Sequence, residues 1–137
     1  MGGQAHNDRA VVGQFIRFAI VGTVGFVVDA TVLYALLYGL AADPYSARAG
    51  SFLCAATVTW WLNRTYTFPD AQSQAAHRQW ASFIGFMLMG AAVNYGTYVA
   101  VVFYGPAHAV TPLAGVAAGS MAGLAVNFTT SRLFVFR

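Results

Sequence analysis

The sequence predicts an all-α integral membrane protein with four transmembrane helices, arranged as two tandem copies of one helical hairpin. Three observations carry that prediction. Of the 137 residues 58% are hydrophobic and 8% charged, and the mean hydropathy is +0.60, whereas a soluble domain carries about 25% charged residues. So few charges cannot cover a globular surface, and lipid must solvate much of the exterior. The apolar residues fall into four stretches separated by short polar breaks, and the second half of the chain repeats the order of features in the first. A single membrane domain over residues 1–137 is expected.

The first apolar stretch runs from about residue 15 to 38, and at 1.5 Å per residue it crosses a hydrocarbon core of about 30 Å. The polar start before it carries His6, Asp8 and Arg9; the apolar run is too long for a signal-peptide core and lacks a cleavage site, so it reads as a retained helix. Gly39 follows it, and Gly105 follows the third stretch, residues 80–104, each in the place of a helix C-cap. The second stretch opens with Asp43-Pro44 and the fourth with Thr111-Pro112, an N-cap side chain followed by proline at the first helical position. Both run into a basic, aromatic end.

All seven cations are arginine; Lys and Glu are absent, and the acids are Asp8, Asp29, Asp43 and Asp70. The arginines stand singly between apolar runs instead of forming a stripe, which excludes a nucleic-acid surface. Arg9, Arg17, Arg64, Arg78, Arg132 and Arg137 belong to the N-terminus, the middle loop and the C-terminus, whereas the hairpin tips hold only Arg48. By the positive-inside rule both termini and the middle loop with His77 are cytoplasmic, and His108 lies outside. Arg48 reads as an interfacial anchor. Cys54 stands alone in an apolar run, without a partner for a disulfide or a metal, and reads as packing.

Internal repetition is the most informative feature. An offset of 68 superposes Asp43-Pro44 on Thr111-Pro112 and WWLNRTYTF (60–68) on FTTSRLFVF (128–136). An offset of 65 aligns Phe18 with Phe83, Gly25 with Gly90 and Asp29 with Asn94. The repeats span about 15–68 and 80–136, joined by a polar linker at 69–79. Because each unit crosses twice, both enter from the same side as parallel repeats. Gly115, Gly119 and Gly123 form a small-residue ladder, with Ala47, Ser51 and Ala55 at the matching places. Such ladders let backbones approach closely in lipid, within the bundle or across a homodimer.

RFAIVG at 17–22 with Asp29, NRTYTF at 63–68 and SRLFVF at 131–136 together resemble the GtrA family, over nearly the whole chain. The resemblance implies a role with polyprenyl-phosphate-linked sugars, either carrying them across the membrane or assisting the glycosyltransferases that make or use them. The second repeat departs from the first at two places, Ser82 for Arg17 and Asn94 for Asp29, so a functional centre is expected to be asymmetric.

Asp29 lies mid-helix, where a carboxylate costs about 2.5–3.5 kcal/mol on insertion scales. It is either functional or hydrogen-bonded glue, through Asn94 or Thr97, and Gly25 one turn earlier leaves room for a ligand or a helix. Arg17, Arg64 and Arg132, at cytoplasmic helix ends, serve either as anchors or as forks for a lipid phosphate. Asn63 and Ser131 precede two of them and Asn127 sits a turn inward, all three able to add donors. These eight residues, with Asp29 and Asn94 admitting the sugar, form the predicted substrate site. His6, His77 and His108 are isolated, no nucleophile stands beside a base, and the glycines keep helical spacing, so neither an enzyme, a metal centre nor a cofactor site is expected.

Three functions remain: a translocase in the cytoplasmic (inner) membrane that flips a polyprenyl-phosphate-linked monosaccharide; an adaptor that docks or stabilises a membrane glycosyltransferase; and a proton-coupled exporter of small cations, for which Asp29 would replace the usual Glu.

Overall fold

The computed structural model describes residues 2–107 and 111–137, with the backbone alone at 2–7 and 112; His108 and its expected outer position lie outside the described residues. Four α-helices are present, α1 (Gly2–Tyr34), α2 (Pro44–Leu62), α3 (Ala76–Tyr104) and α4 (Thr111–Thr130), with no strand among the described residues. Among the described residues three helical spans are long and apolar enough to cross a membrane: Asp8–Gly39, Ala76–Tyr104 and Leu113–Val135. The 19-residue α2 carries Ser46, Arg48, Ser51, Thr57 and Thr59 and is not one of the three. Large apolar side chains stand on the outside, among them Phe26, Phe103 and Met121, each more than 70% exposed, as lipid contact requires.

α1 begins well ahead of residue 15, because no proline interrupts the polar start and helical hydrogen bonding continues through it. The expected glycine caps are corrected. Among the described residues no glycine has positive φ; the left-handed residue at the first hairpin tip is Ala41, at φ 50°. The polypeptide leaves α1 through a π turn, in which the Leu40 N–H donates to the Ala35 carbonyl at 3.2 Å. Gly105 serves close approach instead, since a Cβ there would lie 3.0 Å from the Thr111 methyl. Asp43 caps α2 as its sequence predicts, its Oδ1 accepting from the Tyr45 and Ser46 N–H groups at 3.1 Å. Thr111 is the first residue of α4 and its hydroxyl donates to the Pro106 carbonyl at 2.6 Å, closing the loop rather than capping the helix.

The chain forms two compact units, Met1–Trp80 and Ala81–Arg137. In the first, α1 and α2 run antiparallel: Phe18 meets Phe68 edge to face at 6.5 Å, a side chain on Gly25 would strike the Thr59 methyl, and one on Gly50 would come within 3.2 Å of Leu36. Ala47, Ser51, Ala55 and Thr59 are buried along this seam. In the second unit Phe83 meets Phe136 at 5.8 Å and Phe86 stacks on Phe134 at 5.6 Å. A side chain on Gly90 would strike Asn127; one on Gly119 would lie 2.5 Å from the Asn94 carbonyl, and one on Gly115 3.0 Å from the Tyr98 ring. The glycine ladder is therefore the α3–α4 seam.

Both units close on the same device. After α2 a π turn (Asn63–Thr67) ends with the Phe68 N–H donating to the Asn63 carbonyl at 2.8 Å; after α4 a π turn (Ser131–Val135) ends with the Phe136 N–H donating to the Ser131 carbonyl, also at 2.8 Å. The wider turn swings each terminal Phe back against the first helix of its own unit, where it is buried.

Candidate functional site

In the first unit Asp29 of α1 has its partner on α2. Its Oδ2 forms an ion pair with the Arg48 guanidinium, whose Nη1 also reaches the Ser51 hydroxyl at 3.4 Å. Arg48 is thus not a bare interfacial anchor: it extends along α2 to neutralise Asp29, the acid in the apolar part of α1. The Arg48 side chain is 56% exposed and that of Asp29 20%, so the pair lies at the seam's edge. Asp29 Oδ1 is buried without a hydrogen-bond partner among the described residues.

Arg64 is committed to the chain itself. Its Nη1 donates to Gln79 Oε1 at 2.8 Å, its Nη2 to the carbonyls of Gln72 at 2.7 Å and Gln74 at 3.0 Å, and the guanidinium lies 5.6 Å over the Trp60 ring. Gln79, 3% exposed, is the hub of this arrangement: its Oε1 also accepts from Trp60 Nε1 at 3.2 Å and its Nε2 donates to the Ala71 carbonyl at 3.2 Å. The linker is therefore pinned, with a 3-10 turn over Pro69–Ser73. Asn63 is buried and accepts from the Thr67 hydroxyl at 2.8 Å, facing the core instead of extending Arg64's reach. Arg17 is exposed and its Nε donates along its own helix to the Gly13 carbonyl at 3.3 Å.

In the second unit Asn94 sits on the ladder, its Oδ1 2.7 Å from the place of a Gly119 Cβ. Asn127 Oδ1 and the Ser131 hydroxyl are buried without hydrogen-bond partners among the described residues, while Arg132 is half-buried and engaged. Beside Asn94 a shallow groove of about 370 Å³ opens, lined by Ala91, Asn94, Tyr95, Tyr98, Val116 and Ser120. The two tyrosine rings stack with centroids 6.4 Å apart and planes 29° from parallel.

Of the eight predicted residues, the first unit gives Arg17, Asp29, Asn63 and Arg64 separate partners, and the second places Asn94 and Asn127 along the glycine seam. Sequence reasoning missed Arg48 as the partner of Asp29, Gln79 as the hub, and the Tyr95, Tyr98 and Ser120 lining. The signal for Arg48 was present: an acid inside a membrane helix calls for a cation on the adjoining one. Cys54 is exposed on α2 rather than packed. Among the described residues no group of three or more His, Cys, Asp or Glu is placed to hold a metal.

A family model described as GtrA/DPMS, transmembrane domain, matches residues 17–136. No curated protein matches the chain.

Proposed function

We propose, from the premise that the chain belongs to the family of GtrA/DPMS transmembrane domains, that this membrane protein moves a polyprenyl-phosphate-linked monosaccharide across the cytoplasmic membrane for cell-surface polysaccharide synthesis or modification. The family match over residues 17–136 carries the reading, because that family is associated with lipid-linked sugars. All four helices cross the bilayer in this account. The polar groups of α2 support its crossing: Ser51 and Thr59 are buried against α1 and Arg48 is neutralised by Asp29, which reduces the cost of placing them in hydrocarbon. Six of seven arginines at the termini and middle loop set both on the cytoplasmic side. Cysteines placed at Ala76 and Ala107, in a background lacking Cys54, should label from opposite sides; labelling from one side would sink the four-crossing arrangement.

Arg17 in the first unit and Arg132 in the second are each proposed as a donor to a lipid phosphate, since a guanidinium donates paired hydrogen bonds to it. Arg64, Asn63 and Asp29 hold the scaffold. The test is reconstitution of the pure protein in vesicles with a labelled polyprenyl-phosphate sugar. Movement without any partner is expected. Binding without movement would favour the second reading, an adaptor for a membrane glycosyltransferase, which one observation supports: the linker pinned by Arg64 and Gln79 presents Asp70, Gln72, His77 and Arg78 from a fixed backbone.

A further inference from the structure

The groove on the second unit lies near the middle of both of its helices: Asn94 and Ser120 are each within a turn or so of the centre of α3 and α4. Its lining combines two stacked phenol rings with an amide and a hydroxyl, and among the described residues Asn94, Tyr95, Tyr98 and Ser120 make no hydrogen bond through their side chains. A polar group left without a partner in hydrocarbon costs several kcal/mol. Four on one groove therefore point to a ligand rich in hydroxyls. Of the other grooves on this unit, one is lined by Ser82, Gly85, Phe86 and Met89, and in the other Thr130 already bonds to the Val126 carbonyl at 2.8 Å. Neither pairs aromatic faces with unengaged amides.

The same place in the first unit is filled. At the offsets of 65 and 68, the groove residues Ala91, Asn94, Tyr95, Tyr98, Val116 and Ser120 correspond to Phe26, Asp29, Ala30, Leu33, Arg48 and Phe52. There the ion pair between Arg48 and Asp29 crosses the site, and the sequence has phenylalanine where the groove has Ala91 and Ser120. In the second unit Ala91, Val116 and Ser120 open it. The walls are fixed in place: Gly119 and Gly123 hold Asn94, and Gly115 holds Tyr98, each with no room for a side chain in between.

We propose that this groove binds the sugar of the lipid-linked substrate, a pyranose laid with its apolar C–H face on the Tyr95 and Tyr98 rings and its hydroxyls toward Asn94 and Ser120. A volume of about 370 Å³ and a mostly apolar lining with a few polar groups are what small-ligand sites have, and aromatic faces suit a pyranose's C–H surface. The inference rests on the lipid-linked-sugar reading above and names its sugar subsite.

The test measures binding of a polyprenyl-phosphate hexose and of the bare polyprenyl phosphate to the full-length protein in nanodiscs. Wild type should prefer the glycosylated lipid. Ser120→Phe, which imports the bulk found at the matching place in the first unit, and Tyr95→Leu should each lower that preference about tenfold, the scale of a lost hydrogen bond or ring contact. Affinity for the bare lipid should stay unchanged, which also shows that the variants fold. Tyr95→Phe should keep most of the preference. Undiminished preference in both Ser120→Phe and Tyr95→Leu would overturn the subsite while leaving the functional reading in place. Equal loss for both lipids would assign the groove to the isoprenoid tail and overturn it likewise. A wild type that binds neither lipid would remove the functional reading and the subsite with it.

Discussion

The two hairpins are built alike and differ where chemistry is concerned. Each turns a terminal Phe back through a π turn onto an early Phe of its first helix, and each lets a glycine of that helix receive a side chain from the second, Thr59 on Gly25 and Asn127 on Gly90. At mid-seam they part. The first closes its centre with a charge pair; the second leaves an amide on a glycine ladder beside an open groove. One scaffold thus occurs twice, once as a closed half and once as a half with unengaged polar groups. Three residues decide it: Arg48 against Val116, Asp29 against Asn94, Phe52 against Ser120.

The largest effect should come from bulk on the second seam. Gly119→Leu places side-chain atoms into the Asn94 backbone, a change of overpacking type that costs about 1–3 kcal/mol or more, so the yield of monodisperse protein from detergent should collapse. Gly22→Ala in the first hairpin meets nothing within 4 Å and should stabilise by about 0.5–1 kcal/mol through helix propensity. Thermal unfolding of the two variants in one detergent checks the contrast.

Next is the ion pair. Arg48→Val copies the second hairpin's residue but leaves Asp29 without its cation, and should cost about 1–2 kcal/mol, less than a fully buried pair because Arg48 is half in the open. Adding Asp29→Asn completes the copy and should restore most of the loss. A double variant no more stable than Arg48→Val would show that the pair is not coupled.

How much of this was legible can be traced to particular residues. The all-helical class with membrane-spanning segments, the family and the Asp43 cap follow from composition, short motifs and cap chemistry, all of which are local. The Asp29–Arg48 pair was not legible as a contact, because helical periodicity places a Cα and says little about where a long guanidinium side chain reaches. Gly39 and Gly105 stood where caps belong, yet a π turn carries the chain past Gly39 and puts the left-handed conformation on Ala41. The groove depends on small residues from two helices, Ala91 and Ser120, meeting two tyrosines, and only the interhelical register reveals that. Arg64 looked like a phosphate ligand by residue type alone; its actual partners are carbonyls in the linker that follows it.

A smaller and more local effect belongs to that linker. Gln79→Leu removes an acceptor shared by Trp60 and Arg64, worth about 1–3 kcal/mol of local order, and should make residues 69–79 open to protease while the helices stay folded. The smallest effect is at the hairpin tip. Hydrogen bonds from the Ser46 side chain and backbone hold the Asp43 carboxyl below its ordinary range, so the cap contributes fully above that range and is lost as pH falls through the lowered value. Asp43→Asn, still a good N-cap, should remove that pH dependence and leave stability near neutral pH almost unchanged. Hydrogen exchange at Tyr45 and Ser46 across the acid range reads it out.

The division of labour between the hairpins is tested most directly by lipid movement in vesicles, with a labelled polyprenyl-phosphate hexose and three proteins: wild type, Ser120→Phe, and the double variant Asp29→Asn with Arg48→Val. Wild type should move the lipid without a partner, the double variant should keep most of that rate because it only gives the first hairpin the second's residues, and Ser120→Phe should lose about tenfold, as expected for a blocked contact. A rate lost in the double variant and kept in Ser120→Phe would place the substrate at the ion pair of the first hairpin and contradict the account.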